Sequence, residues 1–307
     1  MNLSNVDALS QDWSATDLVV KRSTDGGMSW SPLRVVCANS TPAALTQVGN
    51  AAPVVLPGGR ILLPFCVNNS RTWQTYSDDD GVSWAEPRDF TPQVALTPAW
   101  TWIGLGPPGG LRLTSGRLVL PSYISHTPND NGDLSNGLLL LSDDEGAHWR
   151  VGAQWTFGLA FPNECQAVEV APNVVVVNSR TLETQRIQAW SFDGGETIEP
   201  SAIAPISGLV QPLIGCQGST IADTRGALWY SGLSETLPLR YNMTVFVAKE
   251  PHAPGQLHFD AVRVIDAGSA AYSSLALLDD GALGLLYERA NTLKIEFEPD
   301  QIVFTRV

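Results

Sequence analysis

Asp12, Glu164, Arg180, Arg240, Tyr272 and Glu288 each stand at the edge of a short β-rich run. The chain carries 18 Lys+Arg against 31 Asp+Glu for a net charge of −13, so guanidinium groups gathered at one place would stand out against an acidic background. A planar guanidinium grips a carboxylate through two parallel N–H···O bonds, and the chemistry such a group offers is capture of an anionic ligand. Taken singly, each of the six is a solvated loop residue. They become a site only if the fold brings them to one rim.

The elements that must do this repeat along the chain. An octet of pattern Ser-x-Asp-x-Gly-x-x-Trp occurs at 23–30, 77–84 and 142–149, and a fourth copy at 191–198 has lost its Trp. Its residues suit a hairpin turn: Asp caps backbone N–H groups, Gly takes a conformation closed to other residues, and Trp covers the neighbouring strand. A second landmark keeps time with the octet. GRILLPF, GRLVLPSY, NVVVVNSR, GALWYSGL and GALGLLYE begin at 59, 116, 173, 226 and 281, at intervals of 57, 57, 53 and 55 residues. Each is a short β-rich run after a turn-rich cluster, with little helical periodicity anywhere. Repeats of this length built of short strands predict a β-propeller with one four-stranded sheet per repeat.

Within each repeat a first strand precedes the landmark, as in AAPVVL at 51–56, the stretch around 104–113, CQAVEVA at 165–171, GSTIA at 218–222 and SSLALL at 273–278. The landmark is the second strand. The third is TWQTYSD, GLLLLSD, IQAWSFD, MTVFVAK or TLKIEFE, and the octet turn leads to a fourth. The first octet lacks its own hairpin, and counting back one period places that blade's second strand at about residues −3 to 5. The expectation is an all-β, six-bladed propeller forming a single domain over 1–307, its first blade incomplete at the N-terminus.

In an antiparallel blade the start of the first strand, the end of the second and the start of the third share one rim, and the octet turns share the other. By that rule Glu164 and Tyr272 begin first strands, Arg180 and Glu288 close second strands, Arg240 opens a third, and Asp12 precedes the third strand DLVVKRS. All six converge on one funnel mouth, where blades meet and a ligand pocket is expected.

Composition removes several alternatives. A sequence pI near 4.6 argues against nucleic acid, which requires clustered Lys/Arg. No run approaches the roughly 18 apolar residues of a membrane span, and the N-terminal residues lack signal-peptide character. The reading is of a soluble chain for which cytosolic, lysosomal and secreted locations all remain open. Cys37, Cys66, Cys165 and Cys216 are widely spaced, and the four histidines show no ligand spacing, so neither a metal nor another cofactor is expected. Oligomeric state is not legible.

The rim residues also form a recognisable set. NECQAVEV at 163–170, NSR at 178–180, GCQGS at 215–219, LRYNMTV at 239–245, AYSSL at 271–275 and LYE at 286–288, in this order among Asp-box octets, resemble the exo-sialidases of the neuraminidase type. GPPGG at 106–110 with GRLVLPSY is similar to another segment of that family. The resemblance implies a retaining glycosidase acting on terminal sialic acid of sialylated glycans. It makes Tyr272 the nucleophile, Glu164 the base that draws off its proton, and Asp12 the general acid; a tyrosine nucleophile is the recognised exception to the two-carboxylate scheme of glycosidases. A neutral phenol can approach an anomeric carbon that itself bears a carboxylate, where a second anion would be repelled. Arg180 and Arg240 match two of three carboxylate-clamping arginines, Glu288 the carboxylate that orients one of them, and Tyr123 a pocket-lining residue.

One departure bears on activity. The Arg-Ile-Pro motif that carries the remaining clamp arginine in that family does not occur in this chain, and residues 1–11 contain no Arg. A lost bidentate contact is worth roughly 1.5–3 kcal/mol, one to two orders of magnitude in binding or rate. Low or no activity from the chain as written is the expectation, and a sialoside-binding propeller without catalysis is the alternative.

Overall fold

The computed structural model describes residues 15–38, 47–127, 132, 134–249, 253–292 and 299–307. Asp12 lies outside them, as does most of the 292–298 run. Apart from one helical turn, Thr91–Val94, and the 3-10 turn Pro200–Ala202, the regular structure among the described residues is β.

Antiparallel sheets follow one another along the chain in a propeller-like arrangement of four blades, with a further two-stranded ladder, Leu18–Val20 with Arg34–Cys37, ahead of them. In the first of the four, Val48–Gly49 and Val54–Val55 both pair with Ile61–Val67, which continues to Arg71–Ser77 and Arg88–Asp89. In the second, Trp102–Leu105 and Leu111–Arg112 pair with Leu118–Ser125, followed by Asn136–Ser142 and Arg150–Trp155. The third runs in order Cys165–Ala171, Val174–Ser179, Gln185–Ser191, Ile203–Val210. The last has six strands: Ser219–Ala222, Leu228–Leu233, Tyr241–Ala248, Asp260–Leu277, Leu283–Arg289 and Gln301–Arg306.

Counting each split first strand as one, four landmarks are second strands of their sheets, and the fifth, Leu283–Arg289, is the fifth strand of the six-stranded sheet. Three details differ from the expectation. The first strands near 51–56 and 104–113 are each split, because Asn50 has a left-handed φ of 50° and Pro53, Pro107 and Pro108 cannot donate to a ladder. No break precedes Tyr272: Asp260–Leu277 is continuous over 18 residues, its first half pairing Tyr241–Ala248 and its second half Leu283–Arg289, with bulges absorbing the change of partner. The strand pairing the last landmark is Gln301–Arg306, C-terminal to the 292–298 run expected there.

The middle strands are buried on both faces, which is why they read as unbroken apolar runs rather than alternating ones. Leu118–Ser125 is buried at every position. Leu118, Leu120 and Ile124 pack toward Leu62, Ile103 and Leu105, whereas Val119 packs with Ala167, Val175 and Val177 of the next sheet. Successive sheets are thus held face to face, and the strand ends are carried to fixed places around the rim.

The octets form one turn four times over. In each, the Ser hydroxyl donates to Asp Oδ1 and accepts the Gly N–H, as in Ser191 to Asp193 at 2.6 Å and Gly195 N–H to Ser191 at 2.8 Å. Asp Oδ1 also accepts the N–H four residues on, from Ser29, Ser83, His148 or Thr197, at 2.8–3.0 Å. The position before the Gly is left-handed in all four, whether Gly26, Asp80, Glu145 or Gly194. The Trp of the motif is not needed for the turn, since the fourth copy closes without it.

Candidate active site

The ladder of the third sheet places the first pair. Glu164 immediately precedes Cys165–Ala171 and Arg180 immediately follows Val174–Ser179. Two further backbone bonds, Asn163 N–H to Arg180 O at 2.9 Å and Arg180 N–H to Glu164 O at 2.8 Å, extend the pairing by one step. The two side chains therefore emerge side by side, and Arg180 Nη1 donates to Glu164 Oε2 at 2.7 Å with both groups buried. Arg180 Nε and Nη2 donate to the Ile214 carbonyl at 3.1 and 2.8 Å. Gly215 is what allows this approach, because a Cβ there would lie 2.6 Å from Arg180 Cγ.

Tyr272 comes from the opposite side of the mouth. A bulge between Ala270 and Ser273 turns it so that its N–H donates to Glu288 Oε2 at 3.3 Å, and its phenol donates to Glu164 Oε1. Arg240, just before Tyr241–Ala248, is tied to the same strand by Ala270 N–H to Arg240 O at 3.1 Å, and its guanidinium carbon lies 5.7 Å from the Tyr272 ring centre. Tyr123 is buried in Leu118–Ser125, its ring lying over Gly104 of the paired strand.

The structure thus joins Glu164, Arg180, Arg240, Tyr272 and Glu288 in one cluster, with Tyr123 close enough to feel the Glu164 charge. Asp12 falls outside the described residues. The carboxylate held against an arginine is Glu164. Glu288 meets the Tyr272 peptide, with Arg240 near enough to favour its charge.

The electrostatics follow from burial. Burial, and then the Glu164 carboxylate, push the Tyr272 phenol well above its ordinary value, with Arg180 and Arg240 pulling the other way; the resting phenol is neutral. Burial pushes Glu288 up to about 7 against the Tyr272 N–H and Arg240. Burial disfavours the charge of Arg180, but Glu164 and then Tyr272 outweigh it and hold the guanidinium above its usual range. Burial also raises the Cys216 thiol beneath the cluster, so it is not a nucleophile at neutral pH.

Of the five N–H donors of Arg180, three are taken by Glu164 and Ile214 among the described residues, leaving one each on Nη1 and Nη2. The Arg240 guanidinium makes no hydrogen bond or ion pair to a described residue. Together they can receive a ligand carboxylate. A cavity of about 500 Å³ opens beside Tyr272 and Glu288, lined also by Ser273, Gln217 and Pro107 and extending past Ile61 and Leu63; Arg180, Arg240 and Glu164 are not among its lining residues. Another, of about 600 Å³, opens among the octet turns beside Arg117 and Asp193, away from Tyr272.

The sequence reading did not anticipate Arg186 or Gln217. Arg186 is fully buried and bonds Asn178 Oδ1 at 2.6 Å and the Cys216 carbonyl at 2.9 Å, its guanidinium 5.2 Å from the Tyr230 ring centre. Gln217 stood within GCQGS without a role. An arginine inside the strand Gln185–Ser191, buried on both faces, was the available signal for the first.

Residues 7–285 match the family described as BNR repeat-like domain. The chain is 28% identical to sialidase-2 of Cricetulus griseus over 95% of this chain and 80% of that protein. It is 30% identical to sialidase-3 of Mus musculus over 69% of this chain, and spans only 56% of that relative's length. Among solved structures it is similar to the Hadza microbial sialidase Hz136, with a TM-score of 0.76 at 25% identity over 90% of this chain and 58% of that one. The intramolecular trans-sialidase from Ruminococcus gnavus shares the fold, with a TM-score of 0.77 at 16% identity over 95% and 88% of the two chains. Propeller-like sheets, four octet turns and a match over most of the length lead to one placement: the chain belongs to the BNR repeat-like family, among the sialidases.

Proposed function

We propose that the protein is an exo-sialidase, a retaining glycosidase that removes terminal α-linked sialic acid from glycoproteins, gangliosides or oligosaccharides. The observation that carries this reading is the hydrogen bond from the Tyr272 phenol to a buried carboxylate, Glu164, whose other oxygen is held by Arg180. Tyr272 Oη attacks the anomeric carbon while its proton passes to Glu164 Oε1, so a neutral group approaches and a nucleophile forms only as the bond is made. Asp12 protonates the departing glycosidic oxygen and then activates the water that cleaves the tyrosyl intermediate.

The free N–H groups of Arg180, with Arg240, receive the sugar carboxylate. Glu288 sets the Tyr272 peptide and lies beside Arg240, and Tyr123 lines the pocket. In this reading the whole of 1–307 is one six-bladed propeller. The Leu18–Val20 and Arg34–Cys37 ladder stands for an incomplete first blade, and the six-stranded sheet for two blades joined through Asp260–Leu277.

The test is release of fluorophore from a 4-methylumbelliferyl sialoside across acidic to neutral pH, beside Tyr272→Phe. With two matching arginines, turnover is expected one to two orders of magnitude below that of a three-arginine clamp. Turnover that persists in the Phe variant would overturn the assignment of the nucleophile. Tight binding of a free sialoside without any turnover would favour the binding propeller.

A further inference from the structure

Beneath the cluster lies a buried amide that none of the roles above uses. Gln217 is 1% exposed and grips the peptide groups on both sides of Ser273, the residue after Tyr272. Its Oε1 accepts the Ser273 N–H at 2.8 Å, and its Nε2 donates to the Ser273 carbonyl at 3.0 Å. The same Nε2 reaches the Pro107 carbonyl at 3.2 Å and the Gly218 carbonyl at 3.1 Å. One side chain therefore ties together three segments: Pro107, the start of Ser219–Ala222, and the strand that carries Tyr272. These segments are not ladder partners of one another, so backbone pairing alone does not set their relative height.

The turn that carries Gln217 is itself anchored to the other half of the cluster. Three residues earlier, Ile214 presents its carbonyl to Arg180, and the neighbouring Cys216 carbonyl is held by the fully buried Arg186. Ile214 has φ +74°, a conformation costly for a β-branched residue. A continuous connection thus runs from Arg180 through Ile214–Gln217 to Ser273 and Tyr272. It closes on the hydrogen bond between Tyr272 and Glu164, which is held by Arg180.

We infer that Gln217 is a positioning residue that sets the distance between the Tyr272 phenol and Glu164, with Arg186 as the anchor of the turn that carries it. The inference rests on the proposed reaction for its kinetic consequence and on geometry alone for its structural one. Substituting Gln217→Leu keeps the volume and removes both contacts to Ser273. Tyr272 then keeps its chemistry but loses its register, and a displacement of about 1 Å at a reacting group can cost about 100-fold.

The experiment compares Gln217→Leu and Gln217→Glu with Gln188→Leu, which deletes a comparably buried amide elsewhere, bonded to Trp190 and the Pro205 carbonyl. Two readouts are taken: kcat and KM on the fluorogenic sialoside, and amide hydrogen exchange of peptides covering 270–277. Expected for Gln217→Leu is a 10- to 100-fold fall in kcat, KM within about threefold, and faster exchange at 270–277. Gln217→Glu, which still accepts the Ser273 N–H, should recover part of both. Gln188→Leu should lower thermal stability without moving kcat or exchange at 270–277. Unchanged exchange there in Gln217→Leu overturns the proposal whether or not the protein turns over any sialoside. If exchange rises in a wild-type background that shows no turnover, the brace stands and the sialidase reading fails. Equal losses in kcat for Gln217→Leu and Gln188→Leu would reduce Gln217 to a stability residue and refute the positioning role.

Discussion

Separating Glu164 from Arg180 should cost far more than either side chain is worth in isolation. Their side chains are 5% and 11% exposed and meet at 2.7 Å, so each neutralises a charge that water cannot reach. Removing one partner of such a pair leaves an uncompensated buried charge, at a cost of about 3–5 kcal/mol. Glu164→Leu and Arg180→Met should each fall in that range, lowering the Tm by about 6–15 °C at 2–3 °C per kcal/mol. The double variant removes both charges. What it leaves are the Ile214 carbonyl without its two Arg180 donors and the Tyr272 phenol without its Glu164 acceptor, losses of about 1–3 kcal/mol each that the Arg180 and Glu164 single variants respectively carry in addition to a bare buried charge. The double variant should therefore be more stable than either single one, with a coupling energy of about 3 kcal/mol or more.

The assay is urea unfolding of the four proteins followed by tryptophan fluorescence, and it does not depend on activity. Effects that add within about 0.5 kcal/mol would show that the two groups do not act as a buried unit. The electrostatic account of the cluster would then be wrong, including the control of Tyr272 by Glu164.

Other perturbations probe separate parts of the structure. Glu288 titrates at about 7 in the fold against 4.5 for an ordinary Glu, so the folded state holds a proton that the unfolded chain has released. Its contribution is complete below about pH 4.5 and lost as pH rises to about 7; unfolding free energy measured against Glu288→Gln should decline over that window and be level above it, and a rise with pH would contradict the burial argument. Ser191→Ala leaves the Gly195 N–H of the fourth octet without its acceptor and should cost about 1–3 kcal/mol by urea unfolding; no loss would mean that the Asp193 carboxylate suffices to hold the turn. Gly104→Ala places a methyl group against the Tyr123 ring, and should cost about 1–3 kcal/mol while shifting Tyr123; a melting curve identical to that of the parent would show that the ring has room to move.

Much of the architecture was legible because it is written locally. The octet is a self-contained turn in which Ser, Asp and Gly satisfy one another within five residues, so its spacing survives whatever packs around it. Landmark strands such as Val174–Ser179 announce themselves by composition, since a strand covered on both faces can carry almost nothing but apolar side chains. Strand ends follow from these, which is why the sequence alone assigns Glu164, Arg180, Arg240, Tyr272 and Glu288 to one rim. First strands were less legible where Asn50 or the Pro107-Pro108 pair interrupts them, and the continuity of Asp260–Leu277 was not legible at all, because a change of pairing partner leaves no mark on composition.

What only the tertiary structure decided are the relations across sheets. The acceptor that takes the Tyr272 phenol, the sharing of Arg180 between Glu164 and a carbonyl 34 residues away, and the grip of Gln217 on Ser273 all join segments far apart in the chain. Hydrogen bonds of this kind depend on how one sheet is rotated and stacked on the next, a quantity summed over every side chain in the interface. Sequence periodicity reports which face a residue occupies, and it carries no information about the angle at which two faces meet.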